Sequence, residues 1–163
     1  EFAVRAPHRV AGIIGFGPAL FADERSGRRL FGRMGWSTRL FASDNVMARS
    51  VCRVMCRHRN AAANLAERLR SDLPPEIARD GVRHTWASYS GTLRHMVLES
   101  GSLLKMASIG TPVELIIGDD DPVCAHLVQD QPQNVKVTTW EGGHHLPVSH
   151  ANQCVSAIQM FLR

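Results

Sequence analysis

The sequence predicts an α/β protein with about three parallel strands, flanking helices and a long helical insertion between the first two strands. Three observations predict it. Short apolar runs end in glycine turns: Val10 to Phe16 before Gly17-Pro18, and Val113 to Ile117 before Gly118. Between those runs the pattern is helical for about ninety residues, too long for a plain crossover helix. Finally, an acidic turn follows the second run and a histidine loop follows the third, and open α/β sheets gather their chemistry beyond the carboxyl ends of strands.

Taken in order, Val10–Phe16 reads as a buried strand, glycine-interrupted where a helix can pack closely. From Ala19 to Ala42 the pattern becomes helical and arginine-rich, and Gly27, Gly32 and Gly35 are expected to divide it into short helices. Asp44 is the candidate cap of a helix from Val46 to about Arg70, whose stripe would be Met47, Val51, Val54, Met55, Ala62, Leu65 and Leu69. Asp72-Leu73-Pro74-Pro75 breaks it, and Pro75 or Glu76 opens a short turn. A further helix is expected from about Arg83 to Ser100, with Trp86, Leu93, Met96 and Val97 inward and Gly101 as its stop.

The second strand, Val113–Ile117, carries the short apolar run expected of a parallel strand covered on both faces. Val123–Gln129 reads as a short helix ended by Gln131-Pro132. The third strand, Val135–Trp140, alternates Val135, Val137 and Thr139 with Lys136, Thr138 and Trp140, as a half-exposed strand does. Ser149 or Asn152 begins the last helix, with Val155, Ile158, Phe161 and Leu162 as its apolar stripe. These elements divide the chain into a core strand (1–18), a helical cap (19–108) and a C-terminal core (109–163).

Composition narrows the function classes. The chain has 163 residues, 44% hydrophobic and 21% charged, enough for a buried core. A net charge of +4 and a pI near 9.2 are mildly basic. The arginines between Arg25 and Arg59 form no dense patch with interleaved aromatics, so nucleic acid is not the expected partner. No apolar run is long enough to span a bilayer, so no membrane partner is expected either. The 4 cysteines do not make a disulfide scaffold and are expected to be reduced, in the cytoplasm. Cys52, Cys56 and His58 share a helical stretch but offer no complete ligand set, so no metal is expected there; Trp36, Trp86 and Tyr89 read as core aromatics.

The chemistry lies in residues 118–147. Asp119, Asp120 and Asp121 lie on a turn after a buried strand, where one carboxylate can accept a hydrogen bond from an imidazole; they can also simply cap the piece after Pro122. Gly142-Gly143 allows a sharp loop that presents His144 or His145 beside the sheet end. Histidine is the side chain suited to move protons near neutral pH. An acid and a histidine ending consecutive strands, in that order, form the orienting half of a nucleophile–histidine–acid triad.

Here the sequence resembles the α/β-hydrolase superfamily. The strand–Gly-x-x-Asp turn matches Gly118 to Asp121, and the Gly-x-x-His loop matches Gly142 to His145, followed by Leu146-Pro147 and an amphipathic helix. By that match Asp121 is the triad acid and His145 the triad base. Arg9 to Pro18 resembles the sixth strand of that fold and Ala19 to Ser108 its variable cap, so the chain would be the C-terminal portion of an α/β-hydrolase. No Gly-x-Ser-x-Gly elbow is present. Ser37 and Ser90 lack the strand–turn–helix setting. The nucleophile is therefore expected before residue 1, as are the oxyanion-hole amides, and the chain alone is expected to be inactive.

The resemblance implies a parent enzyme that hydrolyses a small-molecule ester or related bond through a serine, with no cofactor and no metal. The alternative is a non-catalytic binding protein of the same fold. If the first strand has lost its neighbour, its open edge is expected to recruit another chain.

Overall fold

The computed structural model describes residues 2–69, 73–129 and 132–162; for Ser37 it describes the backbone alone. The chain divides into two compact units, Glu1–Leu30 with Val97–Arg163, and Phe31–Met96.

The first unit holds a three-stranded sheet in the order β1-β2-β3, where β1 is Ile13–Phe16, β2 Val113–Gly118 and β3 Val135–Trp140. Both pairings are parallel, with Ile13 opposite Val113 and Val113 opposite Val135. The parallel sheet agrees with the sequence reading, but β1 is shorter than expected. Residues before it form α1 (Phe2–Arg5) and a single 3-10 turn, Pro7–Arg9, neither of which was expected. β2 is the buried strand: Val113, Leu115, Ile116 and Ile117 are all in the core. Its apolar run works because both its edges are paired and both its faces are covered, as parallel sheets require.

Helices pack on that sheet through small residues. α10 (Ala151–Phe161) buries Cys154 and Ala157, and Ala157 joins Ile116 and Leu146 in one cluster against which Ile14, Phe16 and Trp140 pack. The anticipated stripe of Val155, Ile158 and Leu162 is instead solvent-facing. Neither Ser149 nor Asn152 caps this helix; His150 occupies the cap position, directly after the short α9 (Leu146–Ser149). α2 (Glu24–Arg33) runs through Gly27 without a break. A Cβ on Gly27 would meet Leu98 Cδ2 at 2.8 Å and Phe21 Cδ2 at 3.1 Å, so this glycine serves close packing. α8 (Ser102–Ser108) starts after Gly101, whose φ of 54° is left-handed, so Gly101 does mark a boundary. Val123–Gln129 contains only a 3-10 turn, Ala125–Val128, rather than an α-helix.

The second unit is helical. α3 (Trp36–Ala42) follows Gly35, whose φ of 118° explains the break there. α4 (Val46–Arg57) and α5 (Arg59–Leu69) replace the single helix expected from Val46; the chain turns at His58, whose φ of −116° and ψ of 50° are not helical. The expected end at Arg70 lies outside the described residues. Asn45, not Asp44, caps α4: its side chain accepts from Ala48 N at 2.8 Å, while Asp44 pairs with Arg49. An asparagine caps as well as an aspartate, so the choice falls to whichever residue has extended backbone at that point. Ala48 and Cys52 form the buried face of α4, while Met47 and Val54 are exposed, contrary to the expected stripe.

α5 packs on α6 (Pro75–Asp80), and Arg79 Nη1 ties them by donating to Asn64 Oδ1 and Glu67 Oε2, both at 2.9 Å. α7 (Trp86–Thr92) is capped by Thr85 and continues into a π-turn, Leu93–Leu98. The wider turn shifts the register of that segment, and Met96, expected inward, is 70% exposed. Trp36 is exposed too, whereas Trp86 and Tyr89 pack ring on ring at 6.0 Å. Among the described residues no helix is long and apolar enough to cross a membrane.

Candidate active site

Three strand ends converge in the first unit. β2 ends at Gly118, and the acidic turn Asp119–Asp121 follows. β3 ends at Trp140, and Glu141-Gly142-Gly143-His144 follows. Three hydrogen bonds bind turn to loop: Asp119 N to Trp140 O at 2.9 Å, Asp120 N to Gly142 O at 3.0 Å, and Gly142 N to Asp119 Oδ1 at 2.9 Å. Glycine is needed on both sides. A Cβ on Gly118 would press into the carbonyl oxygens of Gly142 and Gly143, and Gly142 itself has a φ of 124°. The loop after β1 closes on the same place: Gly17 has a φ of 55°, and a Cβ there would lie 2.5 Å from His144 O. Backbone approach at this junction is therefore limited to glycine.

The junction places one carboxylate against one imidazole. Asp121 is only 1% exposed. Its Oδ2 accepts from His144 Nδ1 at 2.9 Å, and its Oδ1 accepts from Val123 N at 2.8 Å. So Asp121 both caps the following turn and holds a histidine; the two readings of the sequence are the two oxygens of one carboxylate. Asp119 and Asp120 serve the turn instead, through the bonds to the loop given above.

The histidine that meets Asp121 is His144, not His145 as the sequence resemblance implied. The cause is the loop's path. Asp120 N and Asp119 Oδ1 pin Gly142, which leaves His144 opposite Asp121, and the chain then turns into α9. His145 stands at the head of α9, its carbonyl accepting from Val148 N at 2.9 Å and Ser149 N at 3.1 Å. Its ring lies edge-on to that of His144, centroids 5.2 Å apart.

The electrostatics follow from burial and bonding. Burial works to raise the Asp121 pKa, but the hydrogen bonds from His144 and Val123 N, with the Cys124 thiol close by, outweigh it and leave the carboxyl below its ordinary range. An ionised carboxylate only accepts, so the proton of this bond sits on His144 Nδ1, an arrangement that in a neutral imidazole leaves the lone pair on Nε2. That is the tautomer a general base needs. The side chain of His144 is 34% exposed while that of Asp121 is 0% exposed, so the ring reaches solvent over a buried anchor.

Sequence reasoning did not pick out Cys124. It is fully buried, its thiol donates to Pro18 O at 3.2 Å, and burial together with the neighbouring Asp121 carboxylate pushes its pKa up. Its position three residues after Asp121 was the available signal. Cys52 and Cys56, by contrast, lie in the helical unit, 3.9 Å apart at sulfur, with Cys56 donating to His84 O at 2.7 Å. All four cysteines are free thiols. Ser37 and Ser90 lie within α3 and α7, not on a strand–helix elbow.

This architecture has solved counterparts. One is a thioesterase domain from the curacin biosynthetic pathway, with a TM-score of 0.56 at 15% identity over 98% of this chain and 61% of that one. Another is a hydrolase from Pseudomonas aeruginosa, with a TM-score of 0.55 at 17% identity over 99% of this chain and 58% of that one. The fold is that of an α/β-hydrolase. No family model and no curated protein sequence matches the chain. It spans about three-fifths of the length of these two structures, 61% and 58%. Within that fold it carries a three-stranded parallel sheet among the described residues, with the acidic turn after β2 and the histidine loop after β3.

Proposed function

We propose that this chain supplies the acid and the base of a serine hydrolase acting on a small-molecule ester or a related acyl bond such as a thioester. The observation that carries the reading is the buried Asp121 carboxylate held 2.9 Å from His144 Nδ1 at the carboxyl ends of adjacent parallel strands. In this reading His144 Nε2 takes the proton of a serine hydroxyl as it attacks the acyl carbon, returns it to the leaving group, and then takes a proton from the water that releases the acyl-enzyme. Asp121 keeps the proton on Nδ1 and stabilises the imidazolium that forms. The serine and the oxyanion-hole amides belong to the part of the hydrolase fold that precedes β1, and residues 1–163 alone turn over no substrate. The coverage of about three-fifths of each matched structure supports this division.

The test uses the whole open reading frame containing residues 1–163, assayed with p-nitrophenyl butyrate and labelled with a fluorophosphonate. The label is expected on a serine ahead of residue 1. His144→Ala should lower kcat by about a thousandfold or more, the scale of a lost triad member, while His145→Ala keeps most of the activity. Labelling inside residues 1–163, or full turnover by His144→Ala, would overturn the proposal.

A further inference from the structure

We propose that Asp121, Cys124 and His144 form a binding site for one borderline-soft divalent cation of the zinc type. Each offers one ligand atom, and the three atoms lie within 4.8 Å of one another. A carboxylate, a thiol and an imidazole are the donor types that zinc accepts and that magnesium and calcium do not favour together. The spacing needs little adjustment. Two ligands at roughly 2.0–2.1 Å from a tetrahedral ion sit about 3.3 Å apart, and His144 Nδ1 and Asp121 Oδ2 are already 2.9 Å apart. Cys124 completes the set by a rotation that takes its sulfur off Pro18 O.

The surroundings suit an ion as well. Asp121 Oδ1 is fixed by Val123 N, the kind of outer partner that orients a metal-bound carboxylate and leaves the other oxygen for the ion. Asp121 and Cys124 are buried, and only His144 reaches solvent, so ion and water enter from one side and a fourth position stays open. The charge balances: Cys124 releases its thiol proton to solvent, the ring proton of His144 moves from Nδ1 to Nε2, and the two positive charges meet one thiolate and one carboxylate. In the loaded state Nδ1 is bound and Nε2 is protonated, so His144 has no lone pair with which to accept a proton. The ion and the general base exclude one another.

Binding is read without turnover, so the result stands whichever way the hydrolase test falls. The probes are Zn2+ by calorimetry and Co2+ by thiolate-to-cobalt absorption. Cys52 and Cys56 form a second pair of sulfurs 3.9 Å apart, so the measurements use the full chain carrying Cys52→Ser and Cys56→Ser. One equivalent of Co2+ with a charge-transfer band is expected in that background. Cys124→Ser should abolish the band, and His144→Ala should weaken Zn2+ by about tenfold or more. If thermal melting shows that Cys124→Ser does not fold, His144→Ala, at a half-exposed position, decides alone. Absence of the band in the background chain, or unchanged Zn2+ affinity in His144→Ala, overturns the proposal.

Discussion

Gly118→Ala is the substitution that loads most directly onto the junction between acid and histidine. A methyl group there would meet the carbonyl oxygens of Gly142 and Gly143, the latter at 2.5 Å. Ordinary contact requires the histidine loop to retreat by about 1 Å. Three hydrogen bonds cross the gap: from Asp119 N, Asp120 N and Gly142 N. Each contributes roughly 1 kcal/mol net, and forced overpacking costs about 1–3 kcal/mol. Loss of one or two of the bonds with partial relief of the clash gives an expected destabilisation of about 2–4 kcal/mol, or a Tm lower by roughly 5–15 °C for a chain of this size. Gly143→Ala is the matched control, because a Cβ there has nothing within 4 Å; it should stay within about 0.5 kcal/mol of the parent. Urea unfolding of the three proteins, compared at constant m-value, decides it. If Gly118→Ala is as stable as Gly143→Ala, the close approach of turn and loop is wrong, and the Asp121–His144 contact that depends on it falls with it.

Two further outcomes are expected. The Asp121 pKa is lowered on folding, so its contribution to stability is present above the unfolded value of about 3.9 and is lost as pH falls through the lower folded value. Asp121→Asn should therefore unfold with a shallower dependence on pH in that acid range than the parent; equal acid limbs in denaturant midpoints measured from neutral to strongly acidic pH would contradict this. Ile13 N and Gly17 N bond toward β2, which turns the alternate amides of Ile14 and Phe16 to the outer edge, where the sheet has no further strand among the described residues. The 163-residue chain should then self-associate with rising concentration, and light scattering that finds only monomer throughout a concentration series would refute it.

The parts of the fold that were legible in the sequence are those governed by local covalent constraint. Gly17-Pro18 and Gly118 mark strand ends because few residues other than glycine tolerate the backbone approaches found there. Pro75 opens α6, and Gly101 in left-handed conformation separates the π-turn from α8. What the sequence hid was which face of each helix turns inward. Periodicity selected Val54, Leu65 and Leu69, yet Ala48, Cys52 and Ala63 are the buried residues of α4 and α5. A hydrophobic stripe records preference for apolar surroundings, whereas close helix packing is settled by size, and small side chains win where backbones approach. The break at His58 carries no glycine or proline, so no local rule announced it.

The site shows the same division between what is local and what is not. That an acid and a histidine would meet at these strand ends was readable, since both follow from strands that end in a glycine turn. Which histidine meets the acid was not, because adjacent residues in a loop point in different directions and only the loop's anchor decides between them. That anchor is Asp119, 23 positions from the Gly142 amide it accepts. The neighbouring aspartates are thus not interchangeable: Asp119 sets the loop, Asp120 N reinforces it, and Asp121 receives the ring that the loop delivers. The Gly-x-x-His match placed His145 opposite the acid because it treats the loop as a spacing, whereas the loop's path is fixed by the Asp119 side chain at the neighbouring strand end, and that path brings His144 to Asp121.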